Sequence, residues 1–140
     1  ISGRFLDIKY VKDIAEDELI NKIENLVNIE DYDIIFVPPR EDAHFEHRFI
    51  SGFGKAVIRS QPIALIQYKT PSTDQHWEPN LFVDIAEEYE FKIKSLEEFK
   101  SQAHRYYFRP DVIRAFHSDF QSAKKGKHFI EQFKVVDLYA

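Results

Sequence analysis

The 140-residue chain contains no cysteine and no methionine, and only four glycines. Without cysteine there can be no disulfide, no thiolate metal ligand and no cysteine nucleophile. Absent cysteine fits an oxidising or a reducing compartment alike. The lack of methionine, with Ile1 at the start, leads us to expect that residues preceding Ile1 have been removed or that the chain is one piece of a larger polypeptide. The scattered glycines form no glycine-rich phosphate loop, and no Gly-x-Ser-x-Gly elbow of a serine hydrolase occurs. No apolar run approaches the roughly 20 residues that span a bilayer, and no signal peptide is visible. A cytoplasmic protein with no membrane span is therefore expected. Positive charge is also short: the net charge of −5 argues against a phosphate-binding surface, so no nucleic-acid partner is expected. The run Lys124-Lys125-Gly126-Lys127 reads as a solvated helix end.

What the chain has in quantity is aromatic residues, 13 Phe and 7 Tyr, within a length that suits a single domain spanning 1–140. Ile34 to Val37 is a continuous apolar run of the kind that suits a strand covered on both faces, and Pro38-Pro39 ends it. Ile63 to Tyr68 reads as a second buried strand, closed by Pro71-Ser72-Thr73. Leu81 to Ile85 reads as a third, and Phe129 to Tyr139 has strand character around Phe133, Val135 and Val136. Phe5 to Tyr10 is a weak strand signal.

Helical spacing predicts helices over 14–28, with Asp13 as N-cap, and over about 45–60, where Gly52 and Gly54 are unfavourable. It predicts two more, over 86–103 and from Pro110 through Phe120 to Gly126. Alternating strands and helices indicate an α/β layered domain with a mostly parallel sheet. In such sheets functional groups collect on loops leaving the carboxyl ends of strands. Residues 38–47 form such a loop.

That loop carries Asp42-Ala43-His44-Phe45-Glu46-His47. Two histidines at i and i+3 on a helical turn share a face, and neutral imidazole is a common zinc ligand. Spacing by itself favours two loop histidines, one capping and one solvated. Asp42 and Glu46 are carboxylates that can accept a ring N–H and fix the tautomer of a ligating histidine. They are equally suited to the first turn of a helix, where acids complement the dipole. His76-Trp77, in a polar loop, reads as either a cleft-lining pair or a packing lid. Glu131 reads as a buried, hydrogen-bonded acid or a strand-edge charge.

The order of several short stretches resembles the C-terminal part of the LmbE/PIG-L family of zinc-dependent N-acetylglucosaminyl deacetylases. They are Asp33-Ile34-Ile35-Phe36-Val37-Pro38, the Asp42 to His47 segment and Pro79-Asn80-Leu81-Phe82-Val83-Asp84-Ile85. Lys92-Ile93-Lys94-Ser95-Leu96, Lys100-Ser101-Gln102 and Glu131-Gln132-Phe133 follow. Each is weak alone; their co-linearity over residues 30–136 makes the match fairly specific.

The resemblance implies a Rossmann-like three-layer α/β sandwich, of which this chain covers the C-terminal portion. It implies zinc, or another divalent metal, held by His47. It places His44 to stabilise the tetrahedral intermediate and assist the leaving amine, with Asp42 and Glu46 as supporting catalytic carboxylates. The implied reaction is hydrolysis of the acetamide of an N-acetylated sugar. Glu46 stands where the family has Asp. The family's His-Pro-Asp-Asp motif, which supplies two further ligands and the general base, is not found and would precede Ile1, so the chain alone is expected to be inactive.

The missing half and the Glu46 substitution motivate a second reading, a degenerate, non-catalytic relative that binds carbohydrate or protein; a third is an ordinary α/β structural subunit with incidental histidines. The aromatic run Tyr106-Tyr107-Phe108 marks either a homo-oligomer interface or a core edge.

Overall fold

The described residues of this computed structural model (8, 10, 13–59 and 62–138) form four strands, five α-helices and two short 3-10 helices. The chain forms two compact units, residues 1–78 with 134–140, and residues 79–133. Strands β1 (Ile34–Val37), β2 (Ala64–Tyr68), β3 (Leu81–Asp84) and β4 (Ile130–Asp137) follow the order β1-β2-β4-β3 in a mixed sheet, so the α/β class expected from the pattern is observed. Most of the Phe5 to Tyr10 strand signal lies outside the described residues. No helix among the described residues is long and apolar enough to cross a membrane.

In the first unit, β1 (Ile34–Val37) pairs in parallel with β2 (Ala64–Tyr68), in register from Ile34 opposite Ala64 to Val37 opposite Gln67. Parallel neighbours need a long crossover, and helix α2 (Phe45–Ile58) supplies it. β2 is buried almost throughout, with Leu65 fully inaccessible. β1 departs from the expectation of two covered faces: Val37 is buried, but Ile34 and Phe36 are exposed. A four-residue apolar run does not distinguish these cases, because burial depends on which layers cover the strand.

Helix α1 (Glu16–Leu26) lies within the 14–28 expected. Its apolar face places Leu19 against Phe53 and Val57 of α2, with Ile20 and Ile23 beside them. Ala15, not Asp13, is the N-cap, and it makes no side-chain cap bond; Glu16, Asp17 and Glu18 face the dipole instead. α2 also lies on the sheet, where Val37, Ile58, Ile63 and Leu65 form a second apolar cluster. Trp77 is buried, its indole N–H donating to Gln67 Oε1 at 3.2 Å, while His76 is exposed. The tryptophan is therefore a packing residue.

In the second unit, β3 (Leu81–Asp84) and the first half of β4 (Ile130–Asp137) pair antiparallel, from Leu81 opposite Phe133 to Asp84 opposite Ile130. Two helices are shorter than the spacing predicts. α3 runs from Tyr89 to Glu97 instead of 86–103, and buries no residue fully. Isolated helical stretches are marginal without a packed face, and beyond Glu97 the chain continues in tighter turns, such as Gln102 N–H to Phe99 O. Glu131 is half-buried and paired with Lys92 of α3.

The stretch from Pro110 divides into α4 (Pro110–Phe116) and α5 (Phe120–Lys124). His117 leaves the helical path: it is buried, and its Nδ1 meets Ile130 O at 2.9 Å. Asp119 then starts a new helix by accepting the Ser122 N–H at 2.8 Å. Gly126, at φ 75°, closes α5 in a left-handed turn, with Lys127 N–H bonded to Ser122 O and Gly126 N–H to Ala123 O. Asp119→Ala is expected to destabilise the fold by about 1 kcal/mol in urea unfolding, with Asp119→Asn close to wild type. Equal stability of the alanine variant would show that the cap contributes nothing.

Candidate functional site

The site is built at the carboxyl ends of β1 and β2. Pro38 and Pro39, both buried, stop β1, and the chain turns through Arg40 and Glu41 to Asp42. Leaving β2, the chain passes through Thr70-Pro71-Ser72-Thr73. The two loops pair antiparallel: Asp42 bridges Thr73, Ala43 N–H bonds to Ser72 O at 3.0 Å, and Asp74 N–H to Glu41 O at 2.8 Å. Arg48, one turn into α2, donates to the carbonyls of Asp42 (2.7 Å) and Ala43 (2.8 Å) and ties the first loop to the helix.

Asp42 is the centre of the arrangement. Its carboxylate has no solvent exposure. Oδ1 accepts the His44 backbone N–H at 2.8 Å and the Ser72 hydroxyl at 2.8 Å, and lies 3.1 Å from His47 Nδ1. Oδ2 accepts the Thr70 hydroxyl at 2.6 Å, with Thr73 Oγ1 further off at 3.4 Å. Burial alone pushes this carboxyl upward. The bonds from Thr70, the His44 backbone, Ser72 and His47 together outweigh it and hold the group at about 2, so it is an anion at neutral pH. Tyr68, at the end of β2, feels the opposite influence: burial and then the Asp42 charge push its hydroxyl up.

His47 is held by this anion on the first turn of α2, with its side chain 35% exposed. The His44 ring lies next to it, 5.1 Å between centroids and tilted by 54°. His44 is the N-cap residue of α2 and makes no side-chain cap bond. Glu46 is exposed and makes no hydrogen bond to the His47 ring. Of the two carboxylates that sequence spacing offers as tautomer-fixing partners, Asp42 alone occupies that position.

The donor chemistry fits one metal-ligand position. A histidine whose Nδ1 faces a buried carboxylate presents Nε2 outward, the usual arrangement around a ligating imidazole. Among the described residues no three His, Asp or Glu side chains gather into a metal-holding group. Spacing did not reveal Thr70, Ser72, Thr73 or Arg48. Ser72 and Thr73 read only as the end of a strand; the usable signal was a hydroxyl-rich loop leaving a second buried parallel strand. No protein-family model matches the chain, and no curated protein matches it.

Proposed function

We propose that the chain supplies the C-terminal part of a zinc-dependent hydrolase that removes the N-acetyl group from an N-acetylglucosamine-type sugar or glycoconjugate, as the resemblance to the LmbE/PIG-L family implies. The observation that carries this reading is the pairing of His47 with the buried Asp42 carboxylate at the ends of two parallel strands. His47 Nε2 is the metal-binding atom. When bound, zinc (or another divalent cation) acts as a Lewis acid toward the acetamide carbonyl and lowers the pKa of water. Asp42 orients His47 by accepting its Nδ1–H. His44, beside His47 and exposed, meets the charge developing on the carbonyl oxygen and donates a proton to the leaving amine. Glu46, exposed on the same turn, adds negative charge at the mouth of the site. The proposal extends to a Rossmann-like three-layer architecture with a mostly parallel sheet in the complete domain, to a cytoplasmic location and to a homo-oligomer.

A second reading, a non-catalytic carbohydrate- or protein-binding module, draws on a different feature. Phe99, Phe108, Tyr107 and Tyr106 form a continuous chain of ring contacts, with Phe99 and Tyr106 more than half exposed. Such rings suit stacking on a sugar face.

Zinc content and acetate release from N-acetylglucosaminyl compounds, measured on the complete polypeptide that carries this chain, separate the two. Under the hydrolase reading, His47→Ala abolishes stoichiometric zinc and turnover, and Asp42→Asn lowers zinc affinity roughly 10–100-fold. Full zinc content in the His47→Ala protein would remove it.

A further inference from the structure

Four side chains and a backbone amide surround Asp42, and their hydrogens can be counted. Each hydroxyl has one proton to donate. That of Thr70 is committed to Asp42 Oδ2 at 2.6 Å, the shortest contact in the cluster. That of Ser72 goes to Oδ1 at 2.8 Å, the anionic and nearer of its two acceptors, the other being Thr70 Oγ1 at 3.0 Å. Thr73 Oγ1 accepts the Thr70 backbone N–H at 2.8 Å, so its own proton points to Thr70 Oγ1 at 3.2 Å or to Oδ2 at 3.4 Å. The backbone N–H of His44 is spent on Oδ1. His47 Nδ1 therefore meets acceptors only: Asp42 Oδ1 at 3.1 Å and Ser72 Oγ at 3.5 Å, whose proton already faces the carboxylate. A ring nitrogen that faces only acceptors must carry the hydrogen.

We infer that Thr70 is a positioning residue that acts through Asp42 to hold His47 in the Nδ1–H tautomer, with the Ser72 proton kept on the carboxylate and the Nε2 lone pair directed outward. The alternative is concrete. Were the Ser72 proton turned toward Nδ1, the ring would be protonated on Nε2 and that nitrogen could neither bind a metal nor accept a proton. Thr70 prevents this by fixing the Asp42 carboxylate from its far side, so that Oδ1 stays between Ser72 and His47. The loop supports the same orientation: Ser72 N–H returns to Thr70 Oγ1 at 3.2 Å, and the paired backbones of residues 41–43 and 72–74 fix the distance between Asp42 and the hydroxyls.

The assignment of tautomer rests on the hydrogen count alone, whereas its catalytic consequence rests on the reading of His47 as a metal ligand. The two therefore fail separately. The test uses this chain without metal, labelled with nitrogen-15 at histidine, at a pH where the rings are neutral. Long-range nitrogen–proton spectra report which ring nitrogen of His47 is protonated. The expected wild-type signal is a single Nδ1–H form. Thr70→Val, which keeps the shape and removes the hydroxyl, is expected to lose most of that population to the Nε2–H form. Thr70→Ser restores it. Ser72→Ala removes the only hydroxyl that could donate to Nδ1 and leaves the Asp42 carboxylate facing it, so this variant is expected to keep the Nδ1–H form. Amide spectra of each variant establish that the loop is still folded, which separates loss of orientation from loss of structure.

An Nε2–H signal in the wild type overturns the inference, and so does an unchanged Nδ1–H signal in folded Thr70→Val or an Nε2–H signal in folded Ser72→Ala. If Thr70→Val does not fold, Thr70→Ala takes its place beside Thr70→Ser: an unchanged Nδ1–H form in Thr70→Ala overturns the inference. Absence of zinc or deacetylation in the complete protein would leave the tautomer result standing and would count only against the hydrolase reading.

Discussion

Asp42→Ala is expected to destabilise the fold by about 3 kcal/mol, measured as the change in unfolding free energy in urea at neutral pH. The loss comes from what the carboxylate leaves behind. The hydroxyls of Thr70 and Ser72 and the backbone N–H of His44 all donate to Asp42, and the carboxylate they address is wholly buried. Each buried donor left without an acceptor costs roughly 1–3 kcal/mol, less whatever water entering the gap restores. The paired loops at 41–43 and 72–74 lose their central side-chain link, so His47 also loses its partner.

The same substitution carries a pH signature. Asp42 is lowered from 3.8 to about 2. A depressed carboxyl contributes stability that is present above its unfolded pKa and is lost as pH falls through the folded one. The shift corresponds to about 2 kcal/mol. The gap in stability between wild type and Asp42→Ala should therefore narrow by about that amount from about pH 5 to about pH 2. A constant gap across that window would mean that the carboxylate is not held as an anion by its donors.

Gly54→Ala is expected to destabilise by about 2 kcal/mol, against the usual direction for a helix interior. Alanine ordinarily stabilises a helix over glycine by about 1 kcal/mol. At position 54, however, an added Cβ lies 2.8 Å from Val37 Cγ1 and 3.1 Å from Leu65 Cδ1. Both neighbours are core side chains of the two parallel strands, with little room to yield. Gly52, in the same helix, provides the control: its added Cβ meets only Glu16 Oε1, at 3.5 Å. Gly52→Ala is therefore expected to stabilise by about 0.5–1 kcal/mol. Thermal or urea unfolding of the two variants should show opposite signs; the same sign in both would mean that α2 does not pack on the sheet through Gly54.

These glycines show how far local pattern carries. Both read as liabilities in a helix, and only one is a packing requirement, because the distinction lies in what the helix face meets across the sheet. The break at His117 is of the same kind. Apolar spacing from Val112 to Phe120 is continuous, yet His117 bonds to Ile130 O and Asp119 caps a second helix. Residue order alone does not say which side chains will satisfy distant backbone groups.

At the site, the sequence by itself determined the loop that carries it: an apolar run, a proline stop, and Asp42, His44 and His47 entering a helix. Those features are local, set by side-chain chemistry, proline geometry and helical spacing. Only the tertiary structure decided which carboxylate belongs to His47. Asp42 and Glu46 are both near in sequence, but β2 brings Thr70, Ser72 and Thr73 to Asp42 and leaves Glu46 in solvent. Residues some thirty positions apart meet there because parallel strands end side by side, a pairing that depends on α2, the helix joining them, packing on the sheet and not on the pattern within either loop.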